Sequence, residues 1–258
     1  MLQNNSALHL IFALLGGVLL LFIIAPIAGM YLNAPLSSVS AAWGSEEVRD
    51  SVWLSLWVSM AGTLLFAFLA VPLAYLLARK TFPLKSVVNG IIDIPIIIPH
   101  SAAGIAVLGI VTRETLLGRA AGAVGIRFMD QPAGIMLAMA FVSLPFLINA
   151  ARDGFAAVPE RLENIALTLG ASPVRVFFTV SLPLAWRSVL SGLIMMWARG
   201  MSEFGAVVVV AYNPKTAPVM IYERFTSYGL KYATPVAAIF VTVCLLIFVF
   251  LRYVKKRT

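Results

Sequence analysis

Charge is scarce in this 258-residue chain: Asp, Glu, Lys and Arg make up 12% of it, against 61% hydrophobic residues. A soluble domain carries about 25% charged residues. So little charge leaves too little polar surface to coat a water-soluble globule, and with a mean hydropathy of +0.96 the expected solvent is lipid. Cysteine is almost missing. The single Cys244 lies inside an apolar run and excludes an intrachain disulfide. His9 and His100 have no Cys or His companions at metal-ligand spacing, so no metal site is expected. A phosphate-cradling G-x-x-x-x-G-K-S/T loop is also lacking, which denies the chain ATP hydrolysis by that route. The formal net charge of +8 forms no basic face and accompanies no nucleic-acid motif. It sits in short loops between apolar stretches, as an excess of Lys and Arg on the cytoplasmic side of a membrane protein would.

Long apolar runs, by contrast, are plentiful. Six reach the roughly 20 residues needed to cross a bilayer: about 8–32, 51–77, 87–111, 132–151, 188–212 and 233–251. None alternates with a period of two, so the spans read as helices and not as barrel strands. The first run is too long for a signal-peptide core and has no Lys or Arg before it, so it reads as a membrane helix. Prolines 26, 72, 95, 99 and 145 fall within these runs and are tolerated where neighbouring helices or waters satisfy the freed carbonyls. One set of loops and the C-terminal tail hold eleven Lys and Arg, the opposite set seven. The richer side includes Arg79, Lys80, Lys85, Arg152, Arg161, Arg175, Arg187, Arg252, Lys255, Lys256 and Arg257. The positive-inside rule places both termini and the 152–187 loop in the cytoplasm.

That loop is patterned as two short helices. Pro159 suits a first helical turn, and Glu160 favours an N-terminus. Leu162, Ile165, Ala166 and Leu169 recur at helical spacing, and Gly170 can take the left-handed conformation that stops a helix. Ser172-Pro173 offers an N-cap and first-turn proline for a second helix through Phe177 and Phe178, ended by Leu182-Pro183. A solvated linker needs no such apolar faces, so the hairpin is expected to dock against something.

The stretch from Glu163 through Asn164, Ala166, Gly170, Ala171 and Ser172 to Val180-Ser181-Leu182-Pro183 resembles the "EAA" loop of ABC importer permeases. That pattern reads E-A-A-x-x-x-G, nine residues, then I-x-L-P. Asn164 stands where the family has glutamate, Ile165 replaces the first alanine, and Glu163 falls one position early. The resemblance implies a coupling helix lying in a groove of a separate ATP-binding subunit, which would bind ATP and Mg. The loss of the aligned carboxylate removes the basis for a specific salt bridge there.

In the fifth run, Arg199 and Glu203 sit at i and i+4, where they share a helix face and neutralise each other. Charges this deep in a span are costly and face a protein interior or a wet path. Two readings stand: a packing ion pair, or a pair at the translocation path in which Arg199 attracts an anion and Glu203 orients it. His100 is either a hydrogen-bonded packing residue or a path-lining one. Asp93 reads as a helix cap or the partner of a basic loop residue. The segment Arg199-Gly200-Met201-Ser202-Glu203-Phe204-Gly205-Ala206 resembles the R-A-x-G-E-F-G-A signature of molybdate, tungstate and sulfate permeases, with Ser202 in place of its glycine. The run from Asp93 through Pro95 and Pro99 to Gly104 is similar to that group's D-x-P-x-x-x-P-x-x-x-x-G helix. The segments Val210-Ala211-Tyr212-Asn213-Pro214, Ala217-Pro218 and Ile221-Tyr222-Glu223-Arg224 look most like archaeal-type molybdate/tungstate permeases.

The expectation is an all-α transmembrane protein of six spans, one permease domain over residues 1–258 with a cytoplasmic coupling loop at about 152–187. The resemblance implies the type I ABC importer permease fold and a homodimer with two ATP-binding subunits and one extracytoplasmic oxyanion-binding protein. It implies no cofactor held by this chain. Two rivals remain: a sulfate or thiosulfate permease of the same group, and a secondary anion transporter without an ATPase. The second would often show inverted repeats and broken helices, and no repeat is visible. A membrane enzyme would need a convergent catalytic set, and Asp93, His100, Arg199 and Glu203 form no such set by spacing.

Overall fold

The computed structural model describes residues 6–257, with side chains 6, 7, 252 and 254–257 outside the described set; of the tail cations counted above, this leaves out Arg252, Lys255, Lys256 and Arg257. The described residues are helical throughout, with no strand. In order they are α1 (Ser6–Leu32), α2 (Leu36–Gly44), α3 (Glu46–Arg79), α4 (Lys85–Ile97), α5 (His100–Val111), α6 (Leu116–Ala123) and α7 (Pro132–Ala157). Then follow α8 (Glu160–Thr168), α9 (Pro173–Val176), a π-helical turn (Phe177–Ser181), α10 (Leu182–Met201), α11 (Val207–Val210), α12 (Ala217–Tyr228) and α13 (Leu230–Arg257).

Five helices are long and apolar enough to cross a membrane, and the pair α4 and α5 supplies a sixth span if taken together. That pair is bent by 112°, so the third span is broken and not the straight helix expected over 87–111. The cause is local. Pro99 has no N–H to continue the ladder and drives Ile98 into extended backbone, with φ −74 and ψ 149. Pro99 is extended as well, and α5 starts afresh at His100.

The fifth span also departs from expectation. It was expected over 188–212, but α10 runs from Leu182 to Met201 and stops. Beyond it the Glu203 carboxylate accepts the Ala206 N–H at 3.0 Å, a side-chain alternative to the helical ladder. Nor does Leu182-Pro183 end the preceding helix: Pro183 opens α10. The π-helical turn makes room for its ring where an α-helical ladder would bring it against the Thr179 carbonyl, so α9, the turn and α10 form one continuous rod.

At one end of the molecule Arg79 closes α3 beside Val158, which follows α7. At the other, the segment before α12 meets α3, where the Ala217 N–H donates to Ser55 Oγ at 2.8 Å. Helices α3 and α7 therefore run parallel, and α7 lies between α3 and an antiparallel α10. Ala70, Ala74, Leu77, Leu147, Ala151, Phe155, Ala185 and Val189 form a core toward the first end. Val58, Val107, Ile135, Val142, Val207 and Val219 form another toward the second. Val48, Met220, Val236 and Phe240 join α12 and α13 to the start of α3. Helix α1 lies outside these cores, its apolar side chains exposed along most of its length. Tyr31 Oη ties it to α13, meeting Thr242 Oγ1 at 2.8 Å and the Ala238 carbonyl at 3.5 Å.

Candidate functional site

Two constellations stand apart from the apolar packing, one at each end of α10. The first is the α8–α9 hairpin. Pro159 caps α8 and does not join its first turn, and Glu160 is the first helical residue. At the far end of α8, Gly170 has φ 88. Its N–H donates to the Leu167 carbonyl at 3.0 Å, and the Ala171 N–H to the Ala166 carbonyl at 3.1 Å. These two bonds close a left-handed helix stop of the Schellman type. Ser172 then caps α9, its Oγ accepting the Arg175 N–H at 3.4 Å.

Glu163 turns inward from this hairpin. Arg79 donates to its carboxylate from Nε at 3.0 Å and from Nη2 at 2.6 Å. Ser181 Oγ donates at 2.7 Å and Tyr75 Oη at 3.1 Å. Arg79 Nη2 also donates to the Val158 carbonyl at 3.0 Å. Both charged side chains are only 8% exposed. Burial opposes ionisation of Glu163, but the Arg79 guanidinium and the two hydroxyls outweigh it and hold its carboxyl below the ordinary value near 4.5. The carboxylate one position early is thus a buried clamp joining α8, the π-helical turn and the end of α3. Asn164 is exposed, about 100° around α8 from Glu163. The side facing away from Glu163 carries Leu162, Ile165 and Leu169, all exposed, Leu169 to 82%, and Leu167 and Val174 are exposed on neighbouring faces. Ala166, Ala171 and Leu182 are half-buried, while Gly170, Ser172 and Pro183 are exposed.

The second constellation lies where α10 ends and α5 begins. Arg199 Nη2 is 2.8 Å from Glu203 Oε2 and within 3.0 Å of both ring nitrogens of His100. His100 Nδ1 is itself 3.0 Å from Glu203 Oε2. The pair expected on one helix face is formed, but across the helix end: Arg199 is in the last turn of α10, and Glu203 lies just past it. The cation at the helix's negative end is favourable. Glu203 is 1% exposed, whereas the Arg199 and His100 side chains are 27% and 37% exposed. The cluster therefore buries its anion and presents its basic groups outward. Ser202 Oγ donates back to the Arg199 carbonyl at 3.1 Å. Close packing fixes the junction, because a Cβ on Gly205 would lie 2.7 Å from His100 Cβ, and one on Gly104 would lie 2.8 Å from the Ala206 carbonyl oxygen.

Asp93 neither caps a helix nor meets a basic loop residue. It sits well inside α4, which begins at Lys85, and its Oδ1 accepts Asn149 Nδ2 from α7 at 2.7 Å. Among the described residues, no group of three or more His, Cys, Asp or Glu could hold a metal ion. Tyr75 and Asn149 escaped the sequence reading, and Arg79 and Ser181 entered it only as a loop cation and a motif position. Tyr75 and Arg79, one helical turn apart at the edge of an apolar run, were a faint signal; their partner Glu163, 84 residues on from Arg79, left none.

The model of the binding-protein-dependent transport system inner membrane component family matches residues 70–258. Over 258 residues, 99% of each chain, the sequence is 45% identical to the molybdate/tungstate transport system permease protein WtpB of Thermococcus kodakarensis. It is 37% identical to the protein of the same name from Methanocaldococcus jannaschii, over 91% of this chain and 92% of that one. It is 26% identical to the sulfate transport system permease protein CysT of Synechocystis, over 92% and 86% respectively. Among solved structures, a bacterial ABC transporter involved in the import of the acidic polysaccharide alginate superposes with a TM-score of 0.74 at 18% identity, covering 96% of this chain and 95% of that one. The inward-facing MetNI methionine ABC transporter gives 0.62 at 16%, covering 83% and 96%. The helices and their broken third span thus form the type I ABC importer permease fold, and the chain belongs to the inner membrane components of binding-protein-dependent transport systems.

Proposed function

We propose that this chain is the membrane subunit of an ATP-driven importer for molybdate or tungstate, coupled to a separate ATPase through the α8–α9 hairpin. The observation that carries the coupling is the two-sidedness of that hairpin: one side clamped through Glu163, the other exposing Leu162, Ile165 and Leu169. A partner groove would bury that face, and the buried pair would pass its movement into α3 and α10. In this reading the hairpin end and both termini face the cytoplasm. Two copies of the chain pair about a central path, with two ATPases below and one oxyanion-binding protein above.

The cluster of Arg199, Glu203 and His100 then acts as a gate. Closed, it is an internally compensated constriction in which Glu203 satisfies Arg199. Parting α10 from α5 would free the guanidinium to meet a passing dianion, weakly enough for release. ATP binding would favour the outward-open state and ADP release the inward-open one, as differential affinity for two conformations requires. The choice of molybdate and tungstate follows the names of the archaeal relatives. The sulfate permease likeness keeps sulfate as the second substrate to test.

The experiment is uptake of radiolabelled molybdate, tungstate and sulfate into vesicles holding this chain, its ATPase and its binding protein, with ATP hydrolysis measured alongside. ATP-dependent uptake of molybdate or tungstate is expected. Uptake without ATP, or no association with an ATPase, overturns the reading.

A further inference from the structure

At the end opposite the hairpin, the connection between α5 and α7 borders a half-open pocket of about 280 Å³, whose lining includes Val111, Gly118 and Gly122 and the exposed Arg113, Arg119 and Arg127. Three guanidiniums around one small space is an unusual arrangement, and their lack of partners makes it more so. Among the described residues none of the three guanidiniums has a hydrogen bond or an ion pair. Three other cations of this end are occupied, though Lys231 is not among the described residues' contacts: Lys215 binds Glu47 and Glu223, Arg224 binds Glu47, and Arg49 donates to the Trp43 and Gly44 carbonyls. The nearby acid Asp130 is itself committed, accepting the Tyr212 N–H at 3.1 Å. Like charges held around a cavity repel one another, and an anion placed among them removes that cost.

We infer that this cavity is a site for a tetrahedral oxyanion dianion, separate from the Arg199 cluster. Guanidinium is the side chain best matched to such a ligand, since its planar fork donates two parallel hydrogen bonds to neighbouring oxygens. Gly122, an exposed lining residue, has nothing within 4 Å of where its Cβ would stand, so a larger side chain there meets no obstacle. The site is also well placed. Val111 closes α5, whose first residue is His100, so the cavity stands about 18 Å from the junction along the α5 axis. With this end outermost, an assignment that rests on the function proposed above, the arginines hold substrate over the path at low affinity and raise its local concentration.

The test is equilibrium binding of radiolabelled tungstate to the permease–ATPase complex without binding protein or nucleotide. One saturable site per chain is expected, weakening as salt rises. Arg113→Gln, Arg119→Gln or Arg127→Gln each lowers its affinity by about tenfold, the loss of one hydrogen bond to a charged group. Gly122→Leu keeps every charge but fills the space, and lowers affinity comparably; Lys231→Gln, outside the cavity, leaves it unchanged. Retained ATPase association shows that each variant is folded. Absence of a saturable site overturns the inference, as does binding indifferent to Gly122→Leu. So does loss of binding-protein association in the arginine variants with tungstate affinity intact, which assigns the arginines to an acidic protein surface. If the site binds tungstate but ATP-driven uptake fails, the transport reading falls and this one stands.

Discussion

The Glu163–Arg79 pair illustrates how a single buried charge commits its surroundings. With both side chains 8% exposed and the carboxylate held by four donor contacts from three residues, removing one partner strands the other. Glu163→Gln is expected to destabilise the fold by about 3 kcal/mol, read as a lower unfolding temperature in lipid or detergent. The pair Glu163→Gln and Arg79→Gln combined should cost less than the sum of the two alone, which a double-mutant cycle measures. The pH dependence has a fixed sign. Because the Glu163 carboxyl ionises below its ordinary value near 4.5, its stabilisation is complete above that value and is lost as pH falls beneath it. Acid should therefore lower the unfolding temperature of the native protein more steeply than that of Glu163→Gln. At the other end of α10, Glu203→Gln leaves Arg199 without its 2.8 Å counter-charge. Arg199→Gln strands the buried Glu203 carboxylate and lowers stability by itself. The path role is therefore read from the double variant Arg199→Gln with Glu203→Gln, which should recover stability yet still reduce transport. Equal losses in both measurements would make the cluster a packing device.

At the level of elements, backbone geometry decides more than composition. Gly170 holds φ 88 with open space around it, so a β-branched replacement meets conformational strain and no steric wall. Gly170→Val should cost about 1–2 kcal/mol and impair transport-coupled ATP hydrolysis while leaving membrane insertion intact; unchanged coupling would remove the docking role. Gly205→Ala acts by contact instead, since its Cβ would press on His100 Cβ at 2.7 Å. It should force α5 and the end of α10 apart, read as altered uptake with an intact hairpin. These elements were unequally legible in the sequence. Apolar length disclosed the spans, and the order proline, acid, glycine, serine, proline disclosed the hairpin, because each signal acts within one turn. The break at Pro99 was tolerated on paper as one more membrane proline, since sequence does not tell a kink from a 112° turn. The end of α10 was hidden for a related reason: Val207–Val210 extends the apolar run, whereas the Glu203 side chain ends the helix by taking a backbone donor. The clamp was invisible because its partners lie on different helices.

Across the whole molecule, three parallel or antiparallel helices, α3, α7 and α10, form a block. The broken span lies against it, and α1 stands apart with its apolar surface exposed. If the hairpin is the coupling element, deleting its clamp should uncouple the two activities before it dissolves the assembly. In vesicles, Glu163→Gln should retain ATPase association yet show ATP hydrolysis that no longer responds to binding protein. Loss of association together with coupling would place the clamp in the docking surface itself.

The π-helical turn gives this block a mechanical property. Because no loop separates α9 from α10, a tilt imposed at the hairpin has a continuous helical backbone to Arg199, with bending concentrated at the π-helical turn. Helix α10 has 20 residues and is about 30 Å long, so it works as a lever. A rotation of about 5° at its hairpin end would sweep the far end by about 2.6 Å. That stroke is comparable with the 2.9 and 3.0 Å contacts between Arg199 and His100, which join α10 to α5.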